Sequence, residues 1–252
     1  MRVDVLALQR FYASRLGGVA QAAAARRLET LWTSNAGLDV LGVGYAGPLM
    51  EPWRASARRA VSFMPAAQGA ERWPSQGAAA VVLGDELRLP FADCVFDRAV
   101  LVHALEESTA PRQFLREVWR VMAPEGRLVV IVANRTGLWA LGDATPFGSG
   151  RPYSRRQLGR LLADAMFEPT ASAVALHALP WGWAAALADS LESAGRLLRS
   201  PFGGLVMMEA VKRLYASSGK EGREVLLAKA PAHAAPHLHK TAPHLHKTDA
   251  SD

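Results

Sequence analysis

The sequence predicts an α/β fold with a mainly parallel sheet and helices on both faces. Three observations lead to this prediction. Short apolar runs alternate with helical patterns, a glycine-rich turn follows the first run, and the 252 residues are 50% apolar and 21% charged, as in an ordinary globular protein. Strands that alternate with helices need crossover connections, and these connections produce parallel pairing.

Each predicted element has its own local signal. Five short apolar runs predict buried strands over residues 38–43, 60–64, 78–83, 97–103 and 127–133. Pro111 opens a helix that carries Phe114 and Val118 on one face. Ser154 and Gln157 match a capping box and begin a second helix. Two further strands are expected over residues 169–177 and 203–212.

Three segments lie outside this alternating pattern. Residues 1–36 are expected to form a helical cap, broken at Gly17-Gly18. Between the last two strands, a stripe at helical spacing predicts a helix that packs on its own sheet, with a membrane surface as the alternative. The stripe consists of Trp183, Leu187, Leu191, Ala194 and Leu198.

The end of the chain, residues 217–252, is predicted to be a tail that is disordered from about residue 231. It contains the repeat Ala-Pro-His-Leu-His-Lys-Thr twice, over residues 235–241 and 242–248. Imidazoles are good metal ligands, so a metal-scavenging tail is one interpretation. A solvated tail that binds metal only adventitiously is the interpretation we favour, and no metal site is expected in the folded part.

Charge and cysteine content limit the choice of partners and compartment. Lysine and arginine number 29 against 23 acidic residues, a net charge of +6, but the basic residues are scattered and do not favour nucleic acid. Cys94 is the single cysteine, which fits a reducing cytoplasm. No run approaches the ~18 apolar residues of a membrane span, and the first residues do not match a secretory signal.

The turn Gly42-Val-Gly-Tyr-Ala-Gly47 follows the first predicted strand. Taken literally it is the dinucleotide fingerprint, whose glycines let a ligand approach the backbone. That fingerprint also expects an acid about 20 residues further on for the ribose. Phe63-Met64-Pro65 occupies that place, so the sequence does not favour a nicotinamide cofactor.

Four further segments follow in a recognisable order: Gly84-Asp-Glu-Leu-Arg-Leu-Pro-Phe91, Val95-Phe-Asp97, His103-Ala-Leu-Glu106 and the stretch 114–128 with Pro124-Glu-Gly126. Over residues 36–135 the chain resembles class I S-adenosylmethionine-dependent methyltransferases, in particular the type 11 branch. The resemblance implies a Rossmann-like class I methyltransferase fold over residues 37–216, a C-terminal antiparallel hairpin, and S-adenosylmethionine as cofactor.

The resemblance also implies roles for particular residues. Gly42 and Gly44 would contact the methionine part of the cofactor, and Asp85 would lie near the adenine amino group. His103 and Glu106 would lie beside the sulfonium methyl, with Tyr153 as a further candidate base. The full cofactor-binding set is Gly42, Gly44, Tyr45, Gly47, Met64, Gln68, Asp85 and Glu86.

Each of these assignments has a structural alternative. Asp85 could cap a turn, His103 could be a core histidine, and Glu106 could be a solvated acid at a helix start. The chain also departs from the family at two places. Val40 stands where an acid is usual, with Asp39 one place off, and the acid that accepts the ribose hydroxyls is missing. Gln68 could replace that acid, or could be a surface residue.

The acceptor pocket is expected near residues 134–139 and 145–154, where Arg135, Arg151, Arg155 and Arg156 suggest an anionic small molecule. Solvated or helix-capping arginines are the alternative. The sequence therefore predicts a methyltransferase that acts on a small-molecule acceptor. A methyltransferase-like fold without catalysis, serving as a binding or regulatory partner of another protein, is the second hypothesis.

Overall fold

The computed structural model describes residues 2–142, 145–198 and 200–214, and in this part of the chain seven strands form one sheet. The strands are β1 (Asp39–Gly44), β2 (Arg59–Pro65), β3 (Val81–Gly84), β4 (Phe96–Val102), β5 (Met122–Ala133), β6 (Glu168–Ala175) and β7 (Leu205–Val211). Their order across the sheet is β3-β2-β1-β4-β5-β7-β6. The first five are parallel, and β7 is antiparallel to both β5 and β6. The predicted fold class is confirmed, including the C-terminal antiparallel pair.

The helices of the described residues are α1 (Val5–Tyr12), α2 (Arg15–Leu31), α3 (Gly47–Met50), α4 (Pro111–Val121), α5 (Arg155–Asp164) and α6 (Ala188–Leu197). The capping box predicted for α5 is present, because the Ser154 side chain accepts a hydrogen bond from the Gln157 backbone and the Gln157 side chain bonds back to Ser154. None of these helices is long and apolar enough to cross a membrane.

The sheet divides the apolar core into two layers. Along β5, Leu128, Val130 and Val132 face a layer formed with α4 and α5. Val129 and Ile131 face the opposite layer, which includes residues of α2 and α3. Successive strand residues point to opposite faces, so a continuous apolar run is what a strand covered on both faces requires.

The helical break in the N-terminal segment was predicted at the wrong place. The chain breaks at Ala13-Ser14, where the Ser14 side chain caps α2 by accepting a hydrogen bond from Gly17 N at 3.1 Å. Gly17 lies in the first turn of α2 and packs against the carbonyl oxygen of Phe11. The glycine therefore permits the close approach of α1 and α2, while serine ends one helix and starts the next.

The stripe predicted between the last two strands does form at helical spacing, in a 3-10 turn at Gly182–Leu187 followed by α6. The prediction that it packs on the sheet is wrong. Trp183, Leu187 and Leu198 are exposed, and small residues and Glu192 are buried instead, because α6 approaches so closely that Gly195 touches the His177 ring. The buried side consists of Ala184, Ala185, Ala188, Glu192 and Gly195.

The strand order also fixes where a ligand site can lie. Strand β1 pairs with β2 on one side and with β4 on the other, so the chain changes direction across the sheet at β1. A crevice opens at such a point, outside the carboxyl ends of the strands. The predicted tail, 217–252, lies outside the described residues.

Candidate active site

A cavity of about 700 Å³ lies at the carboxyl ends of β2, β3 and β4. Its walls are the segments that follow these three strands, residues 65–67, 84–87 and 106–109, together with residues 150–151. Arg2 closes one side. The cavity therefore lies at the carboxyl ends of the strands, where the strand order predicts a ligand crevice.

Asp85 and Glu86 line the part of the cavity that follows β3. Asp85 Oδ1 accepts a hydrogen bond from Leu87 N at 2.9 Å, so this carboxylate also caps a turn. Glu86 forms an ion pair with Arg2, which in turn lies 3.7 Å from Glu107. Two acids thus face the cavity at the place where the sequence predicts recognition of adenine.

Glu106 is buried beside the same cavity. Its Oε1 accepts a hydrogen bond from Ala133 N at 3.2 Å, and its Oε2 has no hydrogen-bond partner among the described residues. Burial raises the pKa of this carboxyl to about 7. Glu106 is therefore not a solvated helix-start acid, and it can exchange a proton near neutral pH.

His103 follows β4 with a φ of 48° and is buried. Burial lowers the pKa of its imidazole to about 3, while burial of Tyr12 raises the pKa of that phenol well above its usual value. Tyr12 therefore keeps its proton, and its hydroxyl forms a hydrogen bond with His103 Nε2 at 2.9 Å. His103 is a neutral core histidine here and does not line the cavity.

The glycine turn is covered by the protein itself. The Tyr12 ring stacks on Tyr45 with a centroid distance of 5.2 Å, and Trp73 packs directly on Gly47. Gly44 has a φ of 77°, and a Cβ there would collide with the carbonyl oxygen of Val102. Gly42, Gly44, Tyr45 and Gly47 are all buried and do not border the cavity.

Met64 and Gln68 are buried and do not line the cavity. The Gln68 side-chain nitrogen donates to His103 O at 2.9 Å, and the backbone carbonyl oxygen of Gln68 accepts from Val5 N at 2.8 Å. Gln68 Oε1 is buried with no hydrogen-bond partner in the described residues. Gln68 is thus not a surface residue; it joins α1 to the ends of β2 and β4.

Tyr153 borders a different cavity, of about 280 Å³, together with Arg135 and Arg160. Burial, with a smaller contribution from the charge of Glu106, raises the pKa of the Tyr153 phenol. Arg151 borders both cavities, and its backbone N donates to Glu106 O at 2.8 Å.

The predicted arginine cluster does not form one pocket. Arg135 and Arg151 line the cavity beside Tyr153. Arg155 lines another cavity, beside β6, and Arg156 is exposed and borders neither of these.

Asp39 cannot substitute for the acid that the family usually has before the glycine turn. It lies at the amino end of β1, opposite the cavity, and Val40 is in the core. Its carboxylate accepts hydrogen bonds from Arg58 at 3.0 and 2.8 Å, which hold the Asp39 pKa below its usual value.

Sequence reasoning missed Arg2, Tyr12 and Glu107. Glu107 accepts hydrogen bonds from Val3 N at 3.0 and 2.9 Å. Val3 and Glu107 are 104 residues apart in the sequence, and no local pattern predicts such a contact. The helical pattern of residues 1–36 was the one available hint that this segment covers something.

Comparisons with known proteins agree with this architecture. A family model described as a methyltransferase domain matches residues 33–130. A demethylmenaquinone methyltransferase of Mycolicibacterium paratuberculosis is 34% identical over 165 residues, which is 64% of this chain and 66% of that protein. The uncharacterized protein YafS of Escherichia coli is 34% identical over 42% of this chain and 47% of its own length. The chain thus spans two thirds or less of these relatives.

Among solved structures, a SAM-dependent methyltransferase of Thermotoga maritima, a possible histamine N-methyltransferase, superimposes with a TM-score of 0.62. It is 19% identical, and the match covers 81% of this chain and 94% of that one. The fold and the position of the cavity define a Rossmann-like α/β protein with a crevice near β1, where the chain changes direction across the sheet. A methyltransferase domain thus occupies residues 33–130 of this chain, and the fold around it is that of the Rossmann-like S-adenosylmethionine-dependent methyltransferases.

Proposed function

We propose that this protein transfers a methyl group from S-adenosylmethionine to a small-molecule acceptor. The observation that carries the proposal is Glu106: a buried carboxyl with a pKa of about 7 and an unpartnered oxygen, on the wall of the strand-end cavity of a methyltransferase-family chain.

The residues present fit the nucleoside end of the cofactor. Asp85 and Glu86 supply carboxylate acceptors at the end of β3, and Ser108 adds a buried hydroxyl without a hydrogen-bond partner among the described residues. Residues 65–67 are Pro-Ala-Ala and offer no side-chain acceptor to a ribose. When bound, S-adenosylmethionine supplies an electrophilic methyl group on a positively charged sulfur.

The role of the protein is then to align the acceptor and to remove its proton. A base is most useful when its pKa lies near the working pH. Glu106 meets this condition, whereas burial lowers the pKa of His103 to about 3 and His103 does not line the cavity. Glu106 is therefore the proposed general base, and Arg151 at the cavity edge would favour an acceptor that is anionic after deprotonation.

Similarity to demethylmenaquinone methyltransferases makes demethylmenaquinone the first acceptor to test. That relationship covers only part of both chains, so the acceptor test should also include other compounds with an acidic carbon, oxygen or nitrogen.

A second function, ligand or partner binding without catalysis, is favoured by a specific observation. Tyr12 and Trp73 cover the glycine turn, where the methionine end of the cofactor would lie. The ribose acid is also missing. If this cover does not open, the fold would act as a binding module for another protein.

Isothermal titration with S-adenosylmethionine and S-adenosylhomocysteine separates the two functions, with NADH as a control ligand. We expect saturable binding of both sulfur compounds in the micromolar range typical of enzyme substrates, and none of NADH. Asp85→Asn should weaken binding about tenfold, since it removes a charged acceptor, while Asp189→Asn on the exposed surface should not. Absence of heat with both sulfur compounds would refute the methyltransferase proposal.

A further inference from the structure

A cavity of about 270 Å³ lies beside the edge strand β6, away from the proposed active site. Three arginines from three helices line it: Arg27 of α2, Arg155 of α5 and Arg196 of α6. Ser172 and Ser200 add hydroxyl groups to the same wall. Guanidinium and hydroxyl donors together are the groups that proteins use to bind phosphate.

This positive charge is not neutralised from within the described part of the chain. None of the three guanidinium groups forms an ion pair there, and Arg27 Nε is buried without a hydrogen-bond partner. Arg196 reaches only the Ser193 hydroxyl, at 3.4 Å. Glu192 lines a smaller adjoining cavity together with Arg27 and Arg196 but forms no ion pair with either; its carboxylate accepts a hydrogen bond from His177 N at 2.7 Å and lies 3.4 Å from His177 Nδ1. An anion would therefore find three available donors.

Large exposed apolar side chains lie along residues 181–202, the segment that also contributes Arg196 and Ser200 to the cavity. Leu197 directly follows Arg196 and is 85% exposed, and Trp183 is 72% exposed. The rings of Trp181 and Trp183 lie parallel, 6.1 Å apart. We call this set the apolar ridge; it consists of Trp181, Trp183, Leu187, Leu197, Leu198 and Phe202.

We propose that the apolar ridge and the arginine cavity together bind the surface of a bilayer that contains anionic phospholipids. The headgroup phosphate would lie among the arginines, and the ridge would enter the boundary between headgroups and acyl chains. Tryptophan is the residue that favours this depth, because its ring is apolar and its N–H is polar. The net charge of +6 favours the same surface.

Charge separates this occupant from the others. A second copy of the chain docked on the apolar ridge would cover these side chains but would leave the arginines without an anion. A soluble phosphate compound would use the arginines but would leave the ridge exposed to water. An anionic lipid surface satisfies both features at once.

The test is co-sedimentation of the full chain with vesicles of phosphatidylglycerol mixed with phosphatidylcholine, and with vesicles of phosphatidylcholine alone. We expect binding only to the anionic vesicles. The triple variant Arg27→Gln, Arg155→Gln, Arg196→Gln should lower the partition constant about a hundredfold, the sum expected for three basic residues at a membrane surface. Trp183→Ser with Leu197→Ser should lower it about tenfold or more.

The matched control replaces three exposed arginines elsewhere, Arg10, Arg88 and Arg116, by glutamine. It should reduce binding far less than the cavity variant. Equal losses would show that only net charge matters and would overturn the proposal, as would equal binding to both vesicles or to neither.

Two further outcomes would reassign the site. Titration with inorganic phosphate that saturates, without vesicle binding, would make the cavity a site for soluble phosphates. Sedimentation velocity that shows a dimer abolished by Trp183→Ser would make the ridge a contact between copies. Circular dichroism of each variant checks that it folds.

Discussion

Glu106 couples its own ionisation to the stability of the folded chain. Burial raises its pKa from the usual carboxyl value to about 7, so the folded chain holds the proton more tightly than the unfolded chain does. Below the pKa of the unfolded chain, the carboxyl is protonated in both states, and its ionisation does not alter the free energy of unfolding. The cost of burying the ionised carboxyl grows as the pH rises between the two pKa values, and it is complete above about pH 7.

We therefore expect Glu106→Gln to gain stability over the native chain as the pH rises. Between about pH 4 and about pH 8, the difference in the free energy of unfolding should change by up to ~3 kcal/mol in favour of the variant. Urea unfolding across this range measures it, with Glu29→Gln, at an exposed position of α2, as the control. Parallel curves for Glu106→Gln and the native chain would contradict the burial of a titrating carboxyl.

At the scale of elements, the segment before α1 holds two acids of the cavity wall together. Arg2 lies between Glu86 and Glu107, and the side chains of Arg2 and Glu107 are each 6% exposed. Removing one partner from a buried ionic group leaves an uncompensated charge. The segment is therefore part of the wall of the proposed active site.

Arg2→Ala should lower the free energy of unfolding by about 3 kcal/mol, because two buried carboxylates would then face each other. Arg10→Ala, at an exposed position of α1, should change it by less than about 0.5 kcal/mol. Thermal and urea unfolding compare the two. A neutral effect of Arg2→Ala would mean that the segment opens before the rest of the chain.

The elements also show what sequence reasoning can reach. The strands and the Ser154 cap follow from patterns a few residues long, and such patterns determine local structure. The orientation of α6 does not, because its exposed stripe and its small-residue face both repeat at helical spacing. Which face is buried depended on the fit of Gly195 against His177, a contact made only in the folded chain.

The same limit applies to the candidate site. Motif order located Asp85, Glu86 and Glu106 on the cavity, since each lies within four residues of the end of a strand. It could not show that Tyr12 covers Tyr45, because that contact joins separate parts of the chain.

Across the whole molecule, Glu209 joins the N-terminal helices to the C-terminal strands. This buried residue of β7 accepts hydrogen bonds from Trp32 Nε1 at 3.0 Å and Thr170 Oγ1 at 2.8 Å, and it pairs with Arg127 at 3.3 Å. This carboxylate thus links β5, β6 and β7 to the residue that follows α2. It therefore contributes to the stability of the sheet and of the N-terminal helices that pack on it.

Glu209→Ala should lower the free energy of unfolding by about 3–5 kcal/mol, because buried donors lose their acceptor. Glu51→Ala, which breaks an exposed ion pair with Arg54, should cost at most about 1 kcal/mol. Differential scanning calorimetry gives both values. Similar melting temperatures for the two variants would rule out a structural role for Glu209.

The position of Arg2 has a practical consequence for anyone who purifies this protein. Because Arg2 lines the cavity and Val3 N is bonded to Glu107, an affinity tag fused ahead of these residues would begin at the mouth of the ligand crevice. Titrations should therefore use chain from which such a tag has been cleaved, or a fusion at the other terminus.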